Sequence, residues 1–211
     1  MFQLQGCGSA PANDNTAAEP IAQPIRTLPF ATKEPDEYQA TFVVRAGGVE
    51  TLTFVARKGA NRRTDHRVGA VEQLNVIETD KAFRILPGKR VYTAQEFGSG
   101  LPPDRPFAGF TDQLLNVRLG ASFENTGTEN GLTVFRVTFE DSPGSQSLIY
   151  VSPELGMPIK QEFYSVTGGQ RTLMSVVELR DVTTSVDDAI FRVPDGFKLV
   201  TAAEFEKIAA Q

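Results

Sequence analysis

The sequence predicts a mainly β, antiparallel fold, on three observations. Apolar residues recur at period two in most runs from Tyr38 onward. Short turn signals such as Gly47-Gly48, Pro87-Gly88 and Gly168-Gly169 separate the runs. These breaks are too short for the crossover that parallel strands need. Composition agrees. A chain of 211 residues, 40% hydrophobic and 22% charged, suits one domain plus a tail and excludes wholesale disorder. A net charge of -5 argues against a dedicated nucleic-acid binder, which needs a basic surface to displace counterions. With one His and one Cys, the chain cannot form an intrachain disulfide or a His/Cys zinc site.

The elements follow in order. Leu4-Gln5-Gly6-Cys7 resembles a bacterial lipobox: the small Gly6 suits the peptidase and the Cys7 thiol accepts lipid. Residues 1–7 are therefore read as a signal remnant, and Cys7 as the lipidation site. Residues 8–36 are read as a flexible tether. Their first part holds only small and polar residues, and Pro20, Pro24 and Pro29 stop a long helix. Ile21, Ile25, Leu28 and Phe30 are placed to touch the domain edge. The domain itself is read as 37–211. Tyr38, Ala40, Phe42 and Val44 alternate along a first strand, and Leu52, Phe54 and Ala56 along a second. A polar strand near 60–68 and apolar runs at 71–79, 83–86 and 90–94 complete an antiparallel meander.

Residues 98–109, rich in Gly and Pro, break the meander as a loop. A helix is expected after it, capped by Thr111 or Asp112 and stopped at Gly120. Strands resume at Thr133–Phe139, Ser147–Val151, Ile159–Val166 and Leu173–Val182. Ser185 is placed to cap a single helical turn holding Ile190 and Phe191. Thr201-Ala202-Ala203-Glu204 is a capping box for a C-terminal helix, with Val200 and Phe205 as its hydrophobic staple. No internal repeat stands out, and no apolar run reaches the length of a membrane span.

One stretch carries a family resemblance. Leu148-Ile149-Tyr150-Val151-Ser152-Pro153-Glu154-Leu155-Gly156-Met157-Pro158-Ile159-Lys160 joins two strands through a Pro/Gly turn. Farther on comes Ala189-Ile190-Phe191-Arg192-Val193-Pro194-Asp195-Gly196-Phe197. Both resemble the strand connection and the ending of the LolA/LolB-like periplasmic lipoprotein-carrier superfamily. The resemblance implies a curved, incomplete antiparallel barrel, with a few short helices covering its concave face or ends. It implies an enclosed apolar space that holds acyl chains. The turn residues themselves mark a fold rather than chemistry: Pro153 fixes φ and Gly156 supplies a positive φ.

Candidate functional residues follow from these readings. Phe42, Phe54, Phe135 and Phe139 are candidates for cavity lining, or else packed core. Leu101 and Phe107 are candidates for a lid or mouth loop. Arg57, Lys58, Arg62, Arg63 and Arg67, with His66 among them, form a basic cluster. It suits either anionic lipid headgroups or the charge protection of an edge strand. Glu34, Asp36, Glu37, Asp187 and Asp188 are read as solvated or capping groups. No motif supports a catalytic residue, a metal site or a cofactor. The expected function is that of a non-catalytic cell-envelope lipoprotein, periplasm-facing and anchored to the outer membrane through Cys7. Its expected partners are lipid or lipoprotein acyl chains, with other envelope proteins as candidates. The alternative is an interaction or sensor module with a filled core; an enzyme ranks third.

Overall fold

The computed structural model describes residues 28–31, 34–68, 72–96 and 121–211. The expected loop at 98–109 with Leu101 and Phe107, the helix ending at Gly120, and Cys7 lie outside the described residues.

The described residues form one open sheet of twelve strands. The first block is β1 (Glu37–Ala46), β2 (Val49–Lys58), β3 (Asn61–Val68), β4 (Glu72–Glu78), β5 (Lys81–Leu86) and β6 (Val91–Glu96). The second is β7 (Ala121–Glu129), β8 (Leu132–Phe139), β9 (Ser145–Val151), β10 (Pro158–Thr167) and β11 (Gln170–Thr183). A short β12 (Lys198–Leu199) and a helix, α1 (Ala202–Ala209), end the chain. The order is β12-β6-β5-β4-β3-β2-β1-β11-β10-β9-β8-β7. Each block is a meander, and the antiparallel pairing of β1 with β11 joins the two. Among the described strands only β12 pairs parallel, with β6. The sheet does not close, which gives the curved, incomplete barrel expected of the sequence.

Register sorts the side chains into two faces, because directly opposed residues point the same way. Ala40 opposes Val55, and Phe42 opposes Leu179. The face that carries them is termed the front. It holds three apolar clusters. Leu74, Leu86 and Val91 are roofed by Val200 and Phe205 of the C-terminal segment. Tyr38, Ala40, Val55, Val177 and Leu179 pack with Met157 in the middle. Phe123, Phe135, Val137, Ile149 and Val151 pack with Phe30 at the far end. On the back, Ala56, Ile77 and Ile85 are covered by Val186 and Phe191.

Several local readings hold and several change. The hairpin glycines Gly47, Gly48, Gly168 and Gly169 all take positive φ. Thr201 Oγ1 accepts from the Glu204 N–H at 3.2 Å, and both Val200 and Phe205 are buried, as the capping box and staple predict. The single turn at Asp188–Phe191 is capped by Asp187 rather than Ser185; the Asp187 carboxylate accepts from the Ala189 N–H at 2.9 Å. The strand β7 was not anticipated. Its residues Glu124–Glu129 are all exposed, so it lacks the alternation that marks a half-buried strand. The basic hairpin is not an edge: β3 is flanked by β2 and β4.

Candidate functional site

A pocket of about 520 Å³ opens off the middle front cluster. Three segments build it: the β9–β10 turn, the start of β10, and the end of β11 with the residues after it. The turn is fixed by its own backbone. Gly156 donates to the Ser152 carbonyl at 2.8 Å, and Ser152 donates to the Met157 carbonyl at 3.0 Å. Gly156 stands at φ 66, the left-handed conformation the sequence assigned to it. The Ser152 hydroxyl accepts from the Leu155 N–H at 3.3 Å. These bonds hold Leu155 against the cluster.

The opposite wall depends on an irregularity. The β1–β11 register shifts between Gln39–Thr183 and Thr41–Arg180, so β11 carries one extra residue there. Asp181 takes φ 54 at that point. A bulge of this kind re-aims the side chains beyond it. Val182 packs on the middle cluster beside Leu155 and Ile159. The pocket thus has an apolar wall of Leu155, Ile159, Leu179 and Val182 and a polar rim that includes Glu154, Asp181 and Thr183. Chemically it suits an apolar segment with a polar end.

The structure scatters the aromatic candidates. Phe42 packs on the middle front cluster, and Phe135 and Phe139 on the far one. Phe54 lies on the back, with the Arg63 guanidinium 6.0 Å from its ring centre. The four therefore do not line one cavity. The residues that do were read only as a turn and strand ends; their signal was the apolar Leu155 inside an otherwise polar turn.

Four cations of the basic cluster, Arg57, Lys58, Arg62 and Arg63, are paired within the chain. Glu34 accepts from Arg57 at 3.2 Å and from Arg62 at 3.1 Å. Lys58 meets Asp188 at 2.8 Å and donates to the Val186 carbonyl at 3.0 Å. The Asp188 hydrogen bond holds the Lys58 ammonium above its ordinary pKa and the Asp188 carboxyl below its own. Arg63 grips Asp65 through two 2.8 Å bonds and donates to the Ile190 carbonyl. Arg67 stands opposite Gln73 in the β3–β4 register. The acidic residues read as solvated are the partners: Glu34 is largely buried. His66 stands opposite Leu74, and its Nδ1 has no hydrogen-bond partner among the described residues.

The expected tether also contains docked residues. Phe30 lies 5.9 Å from Phe123 and 6.0 Å from Phe135, ring centre to ring centre. Ala31 donates to the Gly156 carbonyl at 3.0 Å. Residues 28–31 therefore strap the front of the sheet and reach the turn that builds the pocket.

Among the described residues no group of acidic, His or Cys side chains is arranged to hold a metal. No described helix is long and apolar enough to cross a membrane.

The class defined by these features is an open antiparallel half-barrel with a ligand-sized front pocket. No protein-family model matches the sequence, and no curated protein matches it. Solved structures do. The Pseudomonas aeruginosa MucA/MucB complex is similar at 16% identity and a TM-score of 0.47, covering 79% of this chain and 59% of that one. A LolA superfamily protein from Nitrosomonas europaea is similar at 14% identity and a TM-score of 0.30, covering 74% and 90%. A putative outer membrane lipoprotein-sorting protein domain from Vibrio parahaemolyticus is similar at 13% identity and a TM-score of 0.25, covering 76% and 92%.

Proposed function

We propose that this protein is a non-catalytic cell-envelope lipoprotein that binds an apolar ligand, the acyl chain of a lipid or lipoprotein, in its front pocket. It faces the periplasm from the outer membrane, anchored through lipid on Cys7. The observation that carries the reading is the apolar wall of Leu155, Ile159, Leu179 and Val182, continuous with the buried middle cluster. Its volume of about 520 Å³ falls within the range of small-molecule sites. Removing an acyl chain from water supplies about 0.8 kcal/mol per CH₂. Arg57, Lys58, Arg62 and Arg63 of the basic hairpin are not assigned a headgroup role, because each already has a carboxylate partner within the fold.

Native mass spectrometry of the full chain carrying Cys7→Ser, exported to a bacterial periplasm, tests this. The substitution keeps the protein's own anchor from being counted as cargo. The expected result is an adduct of lipid mass that organic extraction removes. A clean apo mass, unchanged after incubation with phospholipid and with acylated peptide, would overturn it.

A second reading has its own observation. Phe30 fills the far front cluster, wedged between Phe123 and Phe135. A half-barrel that packs its own aromatic into its apolar face suits an interaction or sensor module. The clean apo mass would move the weight there.

A further inference from the structure

Gln161 is the least explained residue of the front face. It sits on β10 between Ile149 of β9 and Val177 of β11, its direct opposites in the two registers. Both neighbours are buried apolar residues, and Gln161 itself is only 5% exposed. Its Oε1 is buried and has no hydrogen-bond partner among the described residues. A buried acceptor left unpaired destabilises the fold that contains it, so native proteins keep few of them. An apolar side chain of similar size would pack here without that cost.

The position relative to the pocket gives the group a use. Ile159 precedes Gln161 by two residues on β10, and Leu179 follows Val177 by two residues on β11. Both belong to the pocket wall. Side chains two apart on a strand share a face and lie about 7 Å apart. Gln161 therefore stands on the front face one row inward from the wall, on the side of the far cluster, to which its opposite Ile149 belongs.

We propose that Gln161 is a specificity-determining residue: its side-chain carbonyl accepts a hydrogen bond from an N–H or O–H carried by the apolar ligand. This rests on the ligand-binding reading above. A site with a buried unpaired acceptor favours a ligand that satisfies it and rejects the isostere that cannot. The preferred class is thus a chain bearing an amide N–H or a hydroxyl close to its apolar part, over a simple ester or hydrocarbon of the same length.

Equilibrium dialysis of the full chain carrying Cys7→Ser, with N-methyldodecanamide and methyl dodecanoate, tests this, since the two differ only in N–H against O. The amide is expected to bind about tenfold tighter, the scale of one buried hydrogen bond. Gln161→Leu should bring the two affinities together and raise the melting temperature of the ligand-free protein by a few degrees. Gln161→Met serves as the second variant should the branched side chain misfold. Binding of both ligands with no preference, or a preference that survives both substitutions, would overturn the role of Gln161 and leave the binding reading in place. Binding of neither ligand would overturn both.

Discussion

The two halves of the sheet bury their apolar surface in different ways. Strands β2–β6 are covered on both faces. Residues 186–197 lie over the back, and α1 lies over the front. Polar contacts fasten the back cover: Lys58 to Asp188 and the Val186 carbonyl, Arg63 to the Ile190 carbonyl, and the Val186 N–H to Glu37 at 2.8 Å. Arg84 ties down α1 through Glu206 and lies 4.9 Å from the Phe205 ring centre. Strands β8–β11 follow another plan. Their front is apolar, and their back is a charged ladder. Arg45 meets Glu178 at 3.0 Å, Arg180 meets Glu50 at 3.2 Å, and Arg136 meets Glu124 at 2.9 Å. The described front cover there is thin, built from the strap at 28–31 and the turn at 152–157. The contrast assigns stability to one half and adaptability to the other. The pocket lies in the second, where the described covering chain is scarcest.

The sharpest way to break this contrast is at Phe205. It is fully buried and anchors α1 to β4–β6. Phe205→Ala should cost about 3–5 kcal/mol, the usual range for a large aromatic removed from a core. Urea denaturation of the full chain measures it. Phe30→Ala removes a similar side chain from the other half. Here the loss should be smaller, about 2 kcal/mol, because the strap can open locally without unfolding the sheet. The same variant should take up more of a hydrophobic fluorophore such as anilinonaphthalene sulfonate. Equal losses for the two variants would erase the distinction between the halves.

Glu34 tests the strap from its other end. Its carboxylate holds both Arg57 and Arg62 and is only 9% exposed. Breaking a partly buried charge pair strands its partners, so Glu34→Gln should cost about 1–2 kcal/mol. Its expected signature is faster hydrogen exchange at Ala31, whose N–H meets the Gly156 carbonyl. Unchanged exchange there would show that Phe30 alone seats the strap.

Much of this architecture was legible in the sequence, and the reasons are local. Gly47-Gly48 and Gly168-Gly169 announce hairpins because positive φ is nearly a glycine property. Thr201 and Glu204 announce a helix start through a single hydrogen bond three residues apart. What failed to show was long-range or polar. The pairing of β1 with β11 joins residues as far apart as Gln39 and Thr183, and no local pattern encodes it. β7 went unread because an exposed polar strand lacks period two. Glu34 passed for a solvated acid, since its arginine partners lie on strands more than twenty residues away. The pocket was illegible for a related reason: its wall needs the register shift in β11, which arises only when β11 meets β1.

The smallest effect concerns the charged back of the second half, and it separates the halves by pH. Burial would raise the Glu162 carboxyl, but hydrogen bonds from Lys160 at 2.6 Å, Tyr164 at 2.6 Å and Tyr150 at 3.0 Å outweigh it and hold the group below the ordinary range. A depressed carboxyl contributes stability that is present above about pH 4 and lost as pH falls through its folded value. The tyrosines move the other way. Tyr164 is pushed up to about 12 by burial and by its bond to Glu162, and Tyr150 is raised for the same reasons. A raised phenol contributes stability that is present below about pH 10 and lost as pH rises through the folded value. Both contributions are modest, because the network is only partly buried. An ultraviolet titration of tyrosinate should therefore show Tyr150 and Tyr164 still protonated well above pH 10. In Glu162→Gln both should titrate closer to an ordinary phenol. Tyr38, raised mainly by burial beneath the front cluster, should stay high in that variant. Were Tyr38 to fall together with the other two, Glu162 would be acting through the whole sheet, and the back of the second half could no longer be treated as a separate layer.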